Sequence, residues 1–326
     1  YTIVGAGAFG ALSVRNATGQ TVKDVANLSF TNNTTSGKAG ALALDSASLK
    51  LTDAQFSNNS AAGFGGAVRL WGNTKGKNQT HSALTLTTNR DLTYAGNKAG
   101  QGKTAEKDGS TALGARYEDM GGFAHLQGNS TLTLTAARNT TLTIGETGAA
   151  QTVGLDSITT SNGGNTLVID GEGTVNLNGS LEGFVGRINV GATNVSGGTV
   201  NMATGFGSID NDAQYTVNAK TGKDNVSGAW VSNVQSVLTV QSGATVNMGA
   251  LTINRSTKSG EATQAGTQLK VETGGKLYVE SITLGTKEYK DKSQASQKDT
   301  LASGSLTTTG HGEVTVASGA VAEVKK

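Results

Sequence analysis

Leu238-Thr239-Val240-Gln241-Ser242-Gly243-Ala244-Thr245-Val246-Asn247-Met248 reads as two very short alternations of apolar and polar residues joined by a Ser-Gly-Ala corner. Period two puts both apolar residues of a segment on one face and the intervening Thr or Asn on the other. The first half recurs as Leu269-Lys270-Val271-Glu272-Thr273-Gly274-Gly275 and as Val314-Thr315-Val316-Ala317-Ser318-Gly319-Ala320. The second half recurs as Ser196-Gly197-Gly198-Thr199-Val200-Asn201-Met202, 46 positions earlier, which reads as two steps of 23. Gly173-Thr174-Val175-Asn176-Leu177 precedes that copy by a further 25. A period of 20–30 residues is that of a solenoid rung. Leu84-Thr85-Leu86, Leu132-Thr133-Leu134, Leu142-Thr143-Ile144, Ile188-Asn189-Val190 and Leu251-Thr252-Ile253 carry the same unit.

Strands of three to five residues cannot bury an apolar face alone. Stacked about 4.8 Å apart, each pairs with its copy above and below. The inward Leu, Val and Ile then run as columns and the outward Thr and Asn as ladders, with glycine at positive-φ corners. The expected fold is all-β, a right-handed parallel β-helix over 1–326 as a single domain with several protruding loops.

Composition supports this and removes other classes. Of 326 residues 47 are glycine, none is proline and none is cysteine. Proline would delete an N–H that a neighbouring strand needs. Without proline or a Gly-x-y period a collagen helix fails, and without cysteine a disulfide framework and a Cys-based zinc site fail. A disordered chain is excluded by 35 % hydrophobic residues in regular clusters. Lys and Arg number 26 against 24 Asp and Glu, and no basic run stands out, so nucleic acid is not an expected partner. Thr74–His81, Lys98–Met120, Arg255–Thr267 and Thr286–Thr300 break the rhythm and read as loops leaving the helix.

The first third carries a second pair of motifs. Phe30-Thr31-Asn32-Asn33 and Phe56-Ser57-Asn58-Asn59 precede Gly40-Ala41-Leu42-Ala43-Leu44 and Gly65-Gly66-Ala67-Val68-Arg69-Leu70. Weaker copies are Gly10–Val14, Tyr94-Ala95-Gly96-Asn97 and Gly121-Gly122-Phe123-Ala124-His125-Leu126. Gly66 and Gly122 stand 56 apart, which reads as two steps. Phe is expected to fill the wide end of each repeat, and Asn to take a left-handed turn and bond its amide to the next Asn. Asn33, Asn59 and Asn97 should therefore stack along one edge. Ser13, Ala43, Arg69 and His125 should share one register and point outward.

This pairing resembles the GGA(I/L/V) and FxxN repeats of the polymorphic outer membrane proteins, a group of autotransporters. The later Leu-x-Val-x-Ser/Thr-Gly units look like those of AIDA-like adhesin passengers. Residues 1–126 hold the first type and 130–326 the second. The resemblance implies a passenger exported by type V secretion through the outer membrane and displayed on a bacterial surface. There it would act as a virulence-associated adhesin or aggregation factor. Implied partners are a host surface protein or glycan, or another passenger. An outer-membrane barrel is expected C-terminal to the passenger, and the ending Val321-Ala322-Glu323-Val324-Lys325-Lys326 reads as mid-pattern in a longer chain. Lack of cysteine suits a chain that must stay extended while crossing a periplasm.

Motifs for chemistry are sparse, so no catalytic, metal or cofactor-binding residue is assigned. Gly5-Ala6-Gly7-Ala8-Phe9-Gly10 matches GxGxxG after Tyr1-Thr2-Ile3-Val4, but a dinucleotide site needs an amphipathic helix next. Residues 11–20 alternate and then turn instead. His81, His125 and His311 read as solvated surface residues, since none has HExxH spacing and no Ser lies in GxSxG context. Paired carboxylates would serve a carbohydrate-active enzyme, a lyase or hydrolase in a groove. The candidates are Asp210 with Asp212, Glu118 with Asp119, and Asp108. An inert stalk carrying another domain is a third possibility. Sequons at Asn16, Asn32, Asn58, Asn78 and Asn129 follow from abundant Asn and Thr.

Overall fold

Short alternating segments need partners from other repeats, and that is where their backbone hydrogen bonds go. The computed structural model describes residues 2–3, 6–7, 10–15, 24–73, 80–100, 121–146, 155–161, 165–179, 181, 184, 187–190, 199–202, 237–254, 268–285 and 313–324. Among these residues there is no helix, and every strand pairing is parallel. The strands form sheets of nine, seven, five, three and three members. The protein is all-β and built of parallel sheets. The strand Leu12–Arg15, where a dinucleotide-binding helix would lie, removes the GxGxxG reading.

Register follows the repeats. In the nine-stranded sheet Leu49, Leu84, Leu132, Leu167, Ile188, Leu238 and Leu269 are successive partners, all buried. Leu51, Leu86, Leu134, Ile169, Val190, Val240 and Val271 form the parallel column two residues on. In the seven-stranded sheet Tyr94, Ile144 and Leu177 align in the same way. These columns belong to one hydrophobic cluster that extends from Leu28 to Val279. Each buried aliphatic side chain contributes about 1.5–3 kcal/mol by leaving water. At the last paired strands Val316, Val321 and Val324 are 42 %, 40 % and 44 % exposed.

The step between partners is not constant, which corrects two expectations. The 56-residue interval from Gly66 to Gly122 is one step, because Val68–Trp71 pairs directly with Ala124–Gln127. The 46-residue interval is also one step, because Thr199–Met202 pairs directly with Thr245 to Met248. Residues 101–120 and 203–236, which lie in those intervals, are outside the described set. A parallel pair demands only that the chain return to the same edge, so connection length is free. Strand length also departs from the expected three to five. It spans 2 residues at Ala6–Gly7 to 10 at Thr245–Asn254.

The interruption at 74–81 is pinched at its base: Thr80 N donates to the Asn73 carbonyl (2.8 Å), and Asn73 N donates to Thr80 Oγ1 (3.2 Å). The expected loop at 98–120 begins later than its boundary. Lys98 pairs with Ser60, and Gly100 N donates to Gly63 O (3.0 Å), so these residues still belong to the repeat. The loops expected at 255–267 and 286–300 lie outside the described residues.

The GGA strands show why two small residues are needed. The first holds a left-handed backbone: φ is 62° at Ala39, 72° at Gly65 and 78° at Gly121. The second is crowded by the next repeat, since a Cβ on Gly66 would lie 2.3 Å from the carbonyl oxygens of both Gly122 and Lys98.

Candidate functional site

The FxxN segments build a buried polar line beside an aromatic one. Phe30 and Phe56 stack at 4.9 Å and 6°, Tyr94 meets Phe56 edge-on at 5.3 Å, and Phe123 stacks on Tyr94 at 5.2 Å. All four are buried, as expected for the wide end of each repeat. Burial, with the charge of Asp53, raises the Tyr94 hydroxyl above its ordinary range.

The two asparagines of each motif divide the work that the sequence assigns to one. The first turns the chain, with φ of 57° at Asn32 and 56° at Asn58, and Gly96 takes this place at 74°. The second is wholly buried and forms the expected ladder. Asn33 Nδ2 donates to Asn59 Oδ1 (2.8 Å), and Asn59 Nδ2 donates to Asn97 Oδ1 (2.9 Å). The backbone N–H groups of Asn33 and Asn59 donate to the same two oxygens (3.2 Å each). The other amide hydrogens reach the carbonyls of Phe30 (from Asn59, 3.0 Å) and Phe56 (from Asn97, 3.3 Å). Since a backbone N–H can meet only an oxygen, these contacts fix each amide's orientation, and the ladder has a direction.

A directed chain of donors ends on a pure acceptor, and here it is Asp156. Its Oδ1 accepts from Asn97 N and Asn97 Nδ2 (both 3.1 Å), and its Oδ2 from Gly96 N (3.0 Å). Asp156 is 2 % exposed with φ of 47°. Burial raises its carboxyl pKa to about 6; the three N–H contacts oppose that shift and the charge of Glu146 adds to it. Asp156 lines an open cleft of about 550 Å³ with Asn58, Ser60, Gly96, Lys98, Glu146 and Leu155. The cleft presents carboxylate, ammonium, amide and hydroxyl groups beside one leucine, a set suited to polyhydroxylated ligands. Ser60 Oγ donates to Thr34 Oγ1 (3.2 Å), and no base is bonded to it among the described residues.

His125 corrects an expectation. It shares a register with Ser13, Ala43 and Arg69 as expected, and Ser13 is exposed. His125, however, is 2 % exposed, and Ala43 is buried as well. Phe64 covers the imidazole at 4.4 Å, and its Nδ1 shares a hydrogen bond with Thr159 Oγ1 (2.9 Å). Lys38 Nζ sits 5.3 Å from the Phe64 ring. Burial, then Arg69 and Lys38, push the imidazole well below its ordinary pKa, so it is neutral. The signal was an aromatic between glycines, Gly63-Phe64-Gly65, one repeat before His125. Beside it Arg69 lies 5.8 Å from the Trp71 ring and donates to Gln127 Oε1 (3.3 Å), while its Nε is buried without a partner among the described residues. Burial lowers the Arg69 pKa.

His81 is exposed, as expected. His311, Asp108, Glu118, Asp119, Asp210 and Asp212 lie outside the described residues. Asp156 and Glu146 carried no motif, so sequence reasoning passed over them. Among the described residues no three His, Cys, Asp or Glu side chains come close enough to hold a metal ion. The chain matches no family model, no curated protein and no solved structure.

Proposed function

We propose that the chain winds as a right-handed parallel β-helix and serves as a non-catalytic adhesin or aggregation passenger on a bacterial surface, followed by an outer-membrane barrel. The observation that carries this reading is the outward ladder, in which runs of Thr and Asn stand between occasional charges such as Lys50, Asp170 and Lys270. Thr85 pairs with Thr133 and Thr87 with Thr135 on one sheet. Thr141 pairs with Thr174 and Thr143 with Asn176 on another, where Asn176 Nδ2 donates to Thr143 Oγ1 (3.2 Å). These side chains are half-buried and regularly spaced. Each exposed hydrogen bond contributes little, and parallel repetition multiplies it against a host glycan, a host protein or an identical chain. The test is display on a non-adherent cell, scoring clumping and host-cell attachment. A gain in either is expected, with attachment reduced when residues 101–120 are removed. Behaviour identical to undecorated cells overturns the reading.

A second reading, a carbohydrate-active enzyme, is favoured by the cleft. Asp156, with its carboxyl near 6, could serve as general acid opposite Glu146. Release of reducing or unsaturated sugar from a polysaccharide panel, abolished in Asp156→Ala, would select it over the first.

A further inference from the structure

The amide ladder leaves one group in an unusual position. Asp156 is a buried carboxylate whose contacts are all N–H donors, and among the described residues no cation pairs with it. Lys98 lines the same cleft without forming an ion pair to it, and Glu146 adds a like charge from the strand end of its own repeat. Among the described residues these are the charged groups that line the cleft with it. Three N–H donors fill three of the four acceptor positions of a carboxylate. The fourth, on Oδ2, receives no donor among the described residues and can hold a proton.

We propose that Asp156 is a proton-operated fastener between the repeat carrying Gly96 and Asn97 and the repeat that follows, firmer in mild acid than at neutral pH. The three N–H contacts on its oxygens keep the side chain turned toward Gly96 and Asn97, and the bond from its own N–H to the Asn97 carbonyl (2.8 Å) ties its left-handed backbone to the same repeat. Protonation removes a buried charge while Oδ1 keeps both Asn97 donors. The direction follows from linkage: a carboxyl that binds its proton more tightly folded than unfolded stabilises the fold fully below its unfolded value, near 3.9. That stabilisation is lost as pH rises through about 6. Between pH 7.5 and pH 5 the closing equilibrium should rise about tenfold.

Hydrogen exchange on the whole chain reads this directly. Protection factors of the Gly96 and Asn97 amides, corrected for intrinsic exchange, should rise about tenfold from pH 7.5 to pH 5, and Asp156→Asn should abolish the rise. Equal protection at both pH values, or a rise that survives in Asp156→Asn, overturns the proposal. Should that variant fail to fold, the carbon resonance of the Asp156 carboxyl in the unmodified chain decides. A midpoint near 6 supports the fastener, and one near 4 overturns it.

Discussion

Residues 28–100 and residues 130–280 solve the same stacking problem with different chemistry. In the first stretch each repeat is marked individually, by a ring in the Phe30–Phe56–Tyr94 row, an amide in the Asn33–Asn59–Asn97 ladder, and a crowded Gly40 or Gly66. In the second, the columns through Leu132 and Leu134 are nearly uniform Leu, Ile and Val, and the buried polar side chains, Ser130, Asp156 and Asn165 among them, follow no repeated motif. A uniform column fixes which face is buried but distinguishes poorly between one repeat and the next. Buried amides do distinguish them, because a slip by one repeat leaves a donor without an acceptor. The repeated marks of register are thus concentrated in residues 28–100, while residues 130–280 carry single ones such as the Ser130–Asn165 contact.

Five substitutions test this contrast. Phe56→Ala should be the most damaging, at about 4 kcal/mol in denaturant unfolding, because it opens a cavity touching Phe30, Tyr94 and Phe123. Gly66→Ala should follow at about 3 kcal/mol, since its Cβ would meet two backbone carbonyls that cannot turn aside. Asn59→Ala should lose about 2 kcal/mol by stranding the Asn33 amide, whereas the outward Asn176→Ala should stay within about 0.5 kcal/mol. Equal losses at Asn59 and Asn176 would erase the proposed distinction. Ala39→Gly should stabilise by about 1 kcal/mol, since φ of 62° strains a Cβ, and a loss there would show that the methyl group is needed in the core.

Much of the architecture was legible. Period-two alternation located the strands, and repeated Phe-x-x-Asn located both the ring stack and the amide ladder. Step length was not, because parallel pairing constrains where the chain returns and not how far it travels meanwhile. Gly66 to Gly122 therefore looked like two turns of a regular repeat. Nor was Asp156 visible, since it lies 59 positions after Asn97 with no Phe or Asn to announce it. A polar corner was also missed: Ser82, Ser130 and Asn165 are all buried, and Ser130 N donates to Asn165 Oδ1 (3.0 Å). Their residue types change from repeat to repeat, so no motif marks them. The burial of His125 depends on Phe64 from an earlier repeat, a contact that alternation alone does not encode.

The pinch at Asn73 and Thr80 has an evolutionary corollary. Two hydrogen bonds close its base, while the flanking strands keep their own partners above and below. What lies between becomes a cassette that mutation can lengthen, shorten or exchange without renegotiating the scaffold. Outline can thus diverge there while the paired strands on either side are inherited unaltered.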